Sequence, residues 1–371
     1  AGHDRPPPDL GRARILDGKH ADDKAVIDRI RENEFLSFSM VELARRSIEL
    51  GGGSARGLDN MGIMGVAFTR AIDPGTAVAT TATFPRILEN VLNKALFAGF
   101  DEAPITWRQW CSVGSVRDFR TYTRPILSHA NVLPVVAENQ PYTAATLTDK
   151  KESGVIAKYG RIYSITREAA INDDLGALMS IPTKMGQAAA RTVDELPYAL
   201  LEANAVMGED GLALFQAATH GNLVTAGGAP DVPRIKAMAT SMETKTDHNG
   251  VKLGIFPAYI IGPPAHRFTI QTLVQAIYDP NATAGTLTPN AVQGMQLTPV
   301  ISARLSNADT WYLAGPKGST VEMNFLNGQE QPTLERETGW SVDSIHWKVR
   351  IEADAIALDW RALQKDDGAT P

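Results

Sequence analysis

REAAINDDLGALMSIPTKMGQAAARTVDELPYALLEANAVM, residues 167–207, decides how this chain is read. From Leu178 the apolar or bulky positions run Ile181, Met185, Ala189, Val193, Leu196, Leu200, Ala203 and Met207. Steps of three and four keep one face of an α-helix apolar. A helix is therefore expected from 178 to 207, about 45 Å long at 1.5 Å per residue. Pro182 fits a first turn, where its missing N–H costs little, whereas Pro197 falls inside the helix and predicts a kink. Gly186 with Ala188, Ala189 and Ala190 leaves part of the face small, so that another backbone or sheet can come close. An ordinary core helix has the same pattern, and the flanking sequence has to say what the helix serves.

The totals exclude several classes. With 371 residues, 43% of them hydrophobic and 21% charged, the chain has the composition of a folded protein of two domains or one elaborated one. No apolar run approaches the ~20 residues of a membrane span, and no basic segment followed by an apolar one marks a secretory signal. The single cysteine, Cys111, allows no internal disulfide and fits a reducing compartment. A net charge of −6 argues against a surface that reads nucleic acid, although an acidic shell can enclose DNA without gripping it. The first residue is Ala rather than Met, which reads as a chain cut from something longer.

Upstream of the helix, residues 1–24 are polar and carry Pro6, Pro7 and Pro8, which favour an extended arm. Residues 24–50 are amphipathic, with Ile27, Ile30, Phe35, Leu36, Val41, Leu43 and Ile48, and end at the hinge Gly51, Gly52 and Gly53. The run GGGSARG lacks the Lys-Ser/Thr of a phosphate loop, and Arg56 stands where a nucleophile elbow needs Gly, so it reads as a linker. A second helix is expected over 80–100, with Ile87, Leu88, Val91, Leu92, Ala95 and Leu96 as its stripe. These pieces have little core of their own and need another surface to lie on. Residues 131–149 are rich in β-branched and small polar residues. A polar turn, DKKE at 149–152, then leads into the strand-like GVIAKYGRIYSIT with Tyr159, Ile162, Tyr163 and Ile165. A hairpin excursion of about 35 residues is unusual in a compact domain and points to a function.

Downstream, residues 208–340 alternate helix-like and strand-like pieces. A helix is expected over 234–245, a buried strand over 253–261, and a helix begun by Pro263 and Pro264 that runs through Leu273, Val274 and Ile277. A Gly/Thr/Asn/Pro-rich loop covers 279–290, and short strands follow around 311–314 and at Val321, Met323 and Phe325. In HWKVRIEADAIALDW (346–360) Trp347, Val349, Ile351 and Ala353 face one way. The parity slips at Ala355, after which Ile356, Leu358 and Trp360 continue it, and a β-bulge there would explain the slip.

No constellation for catalysis emerges. His3, His20, His129, His220, His248, His266 and His346 show no metal-ligand spacing. Cys111 reads as a small buried residue, and Asp173 and Asp174 as acids favoured at a helix start. GPKGST (315–320) reads as a turn between strands, and the six tryptophans as core or interface anchors. No catalytic, cofactor or metal site is expected, and the pattern favours assembly over catalysis.

The order of these features resembles a known family. KKESGVIAKYGRIYSIT, REAAINDDLGALMSIP, the ALLEAN ending, THGN at 219–222, FLNGQEQPTLERETGW and the terminal HWKVRIEADAIALDWRALQKDDG are similar to the major capsid protein of tailed bacteriophages. The nearest group is the Mu-like major head subunits, often fused to a prohead protease. The resemblance is good over 80–368 and weaker over 30–72; INDDLGA and the KVR…DWR…K ending are its specific parts. It implies the α+β, HK97-type capsid fold. The N-terminal arm would then be 1–105, a P-domain strand region 106–127, the E-loop 128–164, and the P domain with its spine helix 165–207. The A domain would be 208–338, with a P-domain strand and tail at 339–371. It further implies a subunit that assembles with itself into pentamers and hexamers around phage double-stranded DNA. Such a shell forms in the bacterial cytoplasm and ends in the virion. Its other partners would be a prohead protease or scaffold, a portal and, in some relatives, a decoration protein, with no membrane and no cofactor. Contacts between subunits would come from Phe35, Leu36, Leu88 and Leu92 on the arm and from Tyr142, Lys150, Lys151, Lys158 and Tyr159 on the E-loop. Some relatives join an E-loop lysine to a neighbour's Asn, for which Lys150, Lys151 and Lys158 are the candidates. An encapsulin-type compartment shares the fold, and a soluble α/β enzyme with an unrecognised site is the reading from another class.

Overall fold

The computed structural model describes residues 40–50, 54–60, 62, 63, 66, 84–127, 149–166, 180–247, 249–280, 288–338 and 344–368. In chain order the elements are α1 (Met40–Leu50), α2 (Phe84–Glu102), β1 (Ser112–Val116), β2 (Tyr122–Leu127), β3 (Asp149–Gly154) and β4 (Ala157–Thr166). There follow α3 (Ser180–Ala203), β5 (Leu223–Val224), α4 (Val232–Glu243), β6 (Tyr259–Gly262), α5 (Arg267–Gln275), α6 (Ala291–Gly294) and β7 (Thr298–Ile301). The last are β8 (Trp311–Ala314), β9 (Val321–Leu326), β10 (Thr333–Thr338), β11 (Ser344–Ala357) and β12 (Leu363–Asp366). The class is mixed α and β, as expected. The chain divides into two compact units, Ala1–Pro104 with Lys158–Thr192 and Glu330–Ile351, and Ile105–Ala157 with Val193–Gln329 and Glu352–Pro371.

In the first unit α2 buries Val91, Leu92, Ala95 and Leu96, the stripe its spacing predicts, and packs on α1, where Ala44 and Ile48 are buried. The first half of α3 meets α2 backbone to backbone. A Cβ on Gly186 would collide with the Leu96 carbonyl, and one on Gly99 with the Thr183 carbonyl, so only glycine leaves room at either place. This is the close approach that the small face of α3 predicts. The first half of β11 pairs antiparallel with β10, Arg336 opposite Trp347, and β4 also pairs with β11. Buried Trp347 stacks on Tyr163 with 5.4 Å between ring centres.

The second unit holds a five-stranded sheet of order β5-β12-β8-β6-β7. Its core joins Val232, Ile235, Met238 and Met242 of α4 to Ile260, Ile270, Leu273, Trp311 and Leu313. Asp231 caps α4 by accepting the Arg234 N–H at 2.8 Å, with Pro233 in the first turn. A second group of strands sets β1 parallel to β9, and β9 antiparallel to the end of β11. The hairpin β2–β3 pairs Tyr122 with Gly154 through Leu127 with Asp149.

Several expectations need correction. DKKE is not a turn: Asp149 opens β3, whose partner is β2, so the hairpin closes upstream of the strand-like run rather than with it. Charged residues were read as turn formers, but alternate positions here reach polar partners on the protein and the others reach solvent. No bulge occurs at Ala355, since Ala353 to Ala357 pair in unbroken register with Phe325 to Val321. The parity slip is harmless because Ile351, Glu352 and Ala353 are all buried, so both faces are covered. The strand expected over 253–261 shrinks to Tyr259–Gly262. The long helix spans Ser180–Ala203, about 36 Å, and is continuous through Pro197. Asp173 and Asp174, the hinge at Gly51, Gly52 and Gly53, and most of the excursion lie outside the described residues.

Candidate functional site

Residues 128–148, most of the expected excursion, lie outside the described residues; the strands on either side of them, β2 and β3, are each held by fixed partners. On β2, Arg124 binds Glu322 through Nε (2.5 Å) and Asn324 through Nη2 (2.5 Å). Tyr122 donates its hydroxyl to Asp354 Oδ2 at 2.7 Å and accepts from Asn324 Nδ2 at 3.1 Å. Asn324 is fully buried between the alternating core residues Val321, Met323 and Phe325, which explains a polar residue in that strand. Gly154 and Gly114 lie against these groups. A Cβ at Gly154 would stand 2.5 Å from the Tyr122 hydroxyl, and one at Gly114 would overlap Asn324 and Glu322. Burial pushes the Asp354 carboxyl up, with the Tyr122 hydrogen bond opposing it; burial and then the Asp354 bond push the Tyr122 phenol up.

On β3, buried Glu152 accepts the N–H groups of Gly208 and Glu209, both at 2.8 Å, and Lys150 donates to the Glu209 carbonyl at 3.2 Å. Burial raises the Glu152 carboxyl and the two N–H bonds counter it. The 208–222 segment is fixed in turn. Arg361 grips Glu209 with two nitrogens, Asp359 at 3.0 Å and the Thr246 carbonyl at 2.8 Å, and lies over the Trp360 ring at 4.5 Å. Burial raises the Asp359 carboxyl, with Arg361 opposing the shift. His220 stacks on Trp360 at 4.0 Å. Asn204, the last residue of ALLEAN, accepts the Phe215 N–H at 2.6 Å, and Asn222 of THGN holds Gln216 N and Leu214 O. Three separate sequence motifs, ALLEAN, THGN and DWR, therefore meet in one polar cluster.

A third tie lies in the same unit. Asp194 of α3 accepts the N–H groups of Thr106 and Trp107 at 2.7 and 3.1 Å, which caps the turn Trp107–Gln109 where Thr106 itself makes no cap bond. Cys111 is buried, and burial pushes its thiol up, which suits an inert core residue. Trp107, Trp110, Trp311 and Trp347 are buried anchors, as expected.

The residues expected between subunits fare unequally. Phe35, Leu36 and Tyr142 lie outside the described residues, and Leu88 is placed only as part of α2. Leu92 is a correction: it is 0% exposed within its own chain, packed into the stripe of α2, and has no face left for a neighbour. Lys150 is engaged with Glu209, whereas Lys151 is exposed. Lys158 and Tyr159 line a groove of about 340 Å³ with Met185 and Ala189 of α3 and Val349 and Ile351 of β11. The sequence reading passed over Glu152, taken as part of a turn, and gave no role to Arg361 and His220 inside the quoted motifs. Among the described residues no group of His, Cys, Asp and Glu is placed to hold a metal, and no helix is long and apolar enough to cross a membrane.

β2 and β3 are thus both held by buried polar partners, and three sequence motifs tie together the 208–222 segment to which β3 is bound. The chain belongs to the phage capsid protein family, whose profile, described as phage capsid protein, matches residues 150–365. It is a capsid subunit, a structural protein that assembles with itself. No curated protein matches the sequence. Among solved structures it is similar to a protein of Mycobacterium phage Adephagia, with 12% identity over 72% of this chain and 91% of the other and a TM-score of 0.48. It is also similar to the capsid of Myoviridae phage XM1, with 12% identity, 71% and 91% covered and a TM-score of 0.47. The virus-like particle from Pyrococcus furiosus gives 10% identity, 74% and 98% covered and a TM-score of 0.45.

Proposed function

We propose that this chain is the major head subunit of a tailed phage, of the Mu-like group, and that 128–164 works as an E-loop laid over a neighbouring subunit. What supports the reading is the root of the excursion, where Arg124, Tyr122, Lys150 and Glu152 all turn inward to fixed partners. A loop meant to bear load on a neighbour needs such a foundation. On this reading 1–105 is the arm, 106–127, 165–207 and 339–371 make the P domain, and 208–338 is the A domain. Phe35, Leu36, Leu88, Tyr142, Lys151, Lys158 and Tyr159 face adjacent copies, each apolar one worth ~1.5–3 kcal/mol when fully buried. The shell forms in the host cytoplasm with a prohead protease or scaffold and a portal, holds double-stranded DNA without reading it, and has no enzymatic role.

Expression of the chain followed by size exclusion and negative-stain microscopy tests this. Closed shells are expected, and a small soluble oligomer as the only product would contradict it. Particles isolated from phage lysates are expected to contain DNA; shells filled with protein cargo instead would favour an encapsulin-type compartment.

A further inference from the structure

We propose that β4 of one subunit pairs along β10 of the next, so that the β4-β11-β10 sheet continues from copy to copy. Along the first half of β11, β10 borders the stretch from Ile345, opposite Thr338, to Arg350, opposite Thr333. β4 pairs with β11 as well, and a Cβ on its Gly160 would stand 2.7 Å from the Val349 carbonyl, within the stretch that β10 borders. A strand has two edges, so β4 and β10 lie on opposite sides of β11 there. Among the described residues β4 and β10 each pair with β11 and with no other strand. Each therefore ends the sheet and turns a row of alternate N–H and C=O groups outward, the template to which another chain adds.

Charge selects which edge meets which. β4, AKYGRIYSIT, brings Lys158 and Arg161 and no acid, whereas β10, TLERET, brings Glu335 and Glu337 against Arg336. Two β4 edges side by side would set bases against bases, and two β10 edges acids against acids, both unfavourable across a strand pair. β4 against β10 joins opposite charges. The faces agree too. Tyr163 stacks on buried Trp347, so alternation places Lys158 and Ile162 on the other face of the sheet, that of Lys348 and Arg350. Glu335 lies on this face, 2.5 Å from Lys348 and 3.0 Å from Arg350, and Glu337 two residues on shares it. Glu335 thus answers bases of its own chain. Glu337, opposite His346 in register, is exposed and makes no ion pair among the described residues, which leaves it for the Lys158 of a neighbour.

The same pairing accounts for an apolar residue left outside. β4 has no proline, and its Ile162 is 68% exposed. A long edge strand of this kind is a hazard in a monomer and a docking site in a chain that assembles with itself. One copy's β4 on the next copy's β10 covers Ile162 in a head-to-tail contact, which closes into a ring when the rotation allows. The pairing rests on the chain assembling with itself and not on the reading of 128–164 as an E-loop.

Carbodiimide coupling of assemblies grown from an equal mixture of unlabelled and ¹⁵N-labelled wild-type chains tests the pairing, because it joins an amine directly to a carboxylate that touches it. Peptides that join Lys158 of one label to Glu337 of the other are expected. Lys158 joined only to acids of its own label, or to none on β10, would overturn the proposal. Charge exchange gives a second readout. Lys158→Glu and Glu337→Lys are each expected to lower the yield of assembled particles roughly tenfold, and the two together to return it to within about threefold of wild type. A double variant that folds by circular dichroism yet assembles no better than either single one would overturn the proposal as well. Should wild type form only a small oligomer, mixed-label peptides from it would uphold the pairing and defeat the shell, and their absence would overturn the pairing.

Discussion

Arg361 and Glu209 meet in a two-pronged ion pair, Nη2 to Oε1 at 2.6 Å and Nη1 to Oε2 at 3.0 Å, across 152 residues of sequence. Their side chains are only 5% and 3% exposed. Burying two charges costs several kcal/mol per ion, recovered only when the geometry is good and the remaining N–H groups find acceptors. Asp359 and the Thr246 carbonyl supply those acceptors. Losing one partner is therefore worse than losing both. Arg361→Met is expected to destabilise the subunit by ~3–5 kcal/mol, and Arg361→Met with Glu209→Leu to recover part of that loss. Urea unfolding of unassembled subunits measures both; a double variant weaker than either single one would contradict the account.

The crossing of α2 and α3 predicts a different kind of sensitivity. Gly186 and Gly99 each lie against a carbonyl of the other helix, so an added methyl has backbone, not a flexible side chain, to displace. Gly186→Ala is expected to cost ~1–3 kcal/mol through overpacking, despite the better helix propensity of Ala. Gly294→Ala, with nothing within 4 Å of the added Cβ, is expected to change stability by less than about 0.5 kcal/mol. Thermal unfolding of the two variants separates the effects.

Tyr122 and Asp354 predict a pH dependence. Burial raises the Asp354 carboxyl above its ordinary 3.8, and the phenol hydrogen bond limits the rise. A carboxyl raised in the folded state penalises folding at neutral pH, and the penalty is relieved as pH falls through the folded value toward 3.8. Tyr122→Phe removes the bond, so the carboxyl moves higher still. The variant is expected to lose ~1–3 kcal/mol at pH 7 and to regain more of it than wild type between pH 7 and pH 5. Equal pH responses in the two proteins would show that Asp354 does not depend on Tyr122.

Periodicity made the helices legible. The stripe of α2 and the small face of α3 follow from spacing alone, since Val91, Leu92 and Gly186 each meet the neighbour that their position in the helix requires. Polar strands were not legible. Asp149 to Gly154 carries no apolar alternation, and the partners that make it a strand, Glu209 and the β2 backbone, come from distant sequence. The same limit hid the site. DWR and THGN stand out as motifs, but nothing local says that Arg361 reaches Glu209 or that His220 lies on Trp360. Leu92 was assigned to a neighbour because a stripe does not reveal whose surface covers it.

The two strands of the root predict how the excursion fails. Glu152 satisfies two N–H groups with one buried carboxylate, whereas the adjacent Lys151 points to solvent. Glu152→Ala leaves both N–H groups without that acceptor and is expected to cost ~1–3 kcal/mol, felt first as faster hydrogen exchange at Gly208 and Glu209. If the excursion bears on a neighbour, the yield of closed shells falls with it, while Ser153→Ala, at an exposed position of the same strand, leaves the shells intact. Lys150 is already engaged with the Glu209 carbonyl, so boiling particles in SDS is expected to release the same bands from wild type and from Lys150→Ala. Negative-stain counts of shells across the two variants decide the first point. Normal shells from Glu152→Ala, with exchange at Gly208 accelerated, would mean that the grip orders the root without serving assembly.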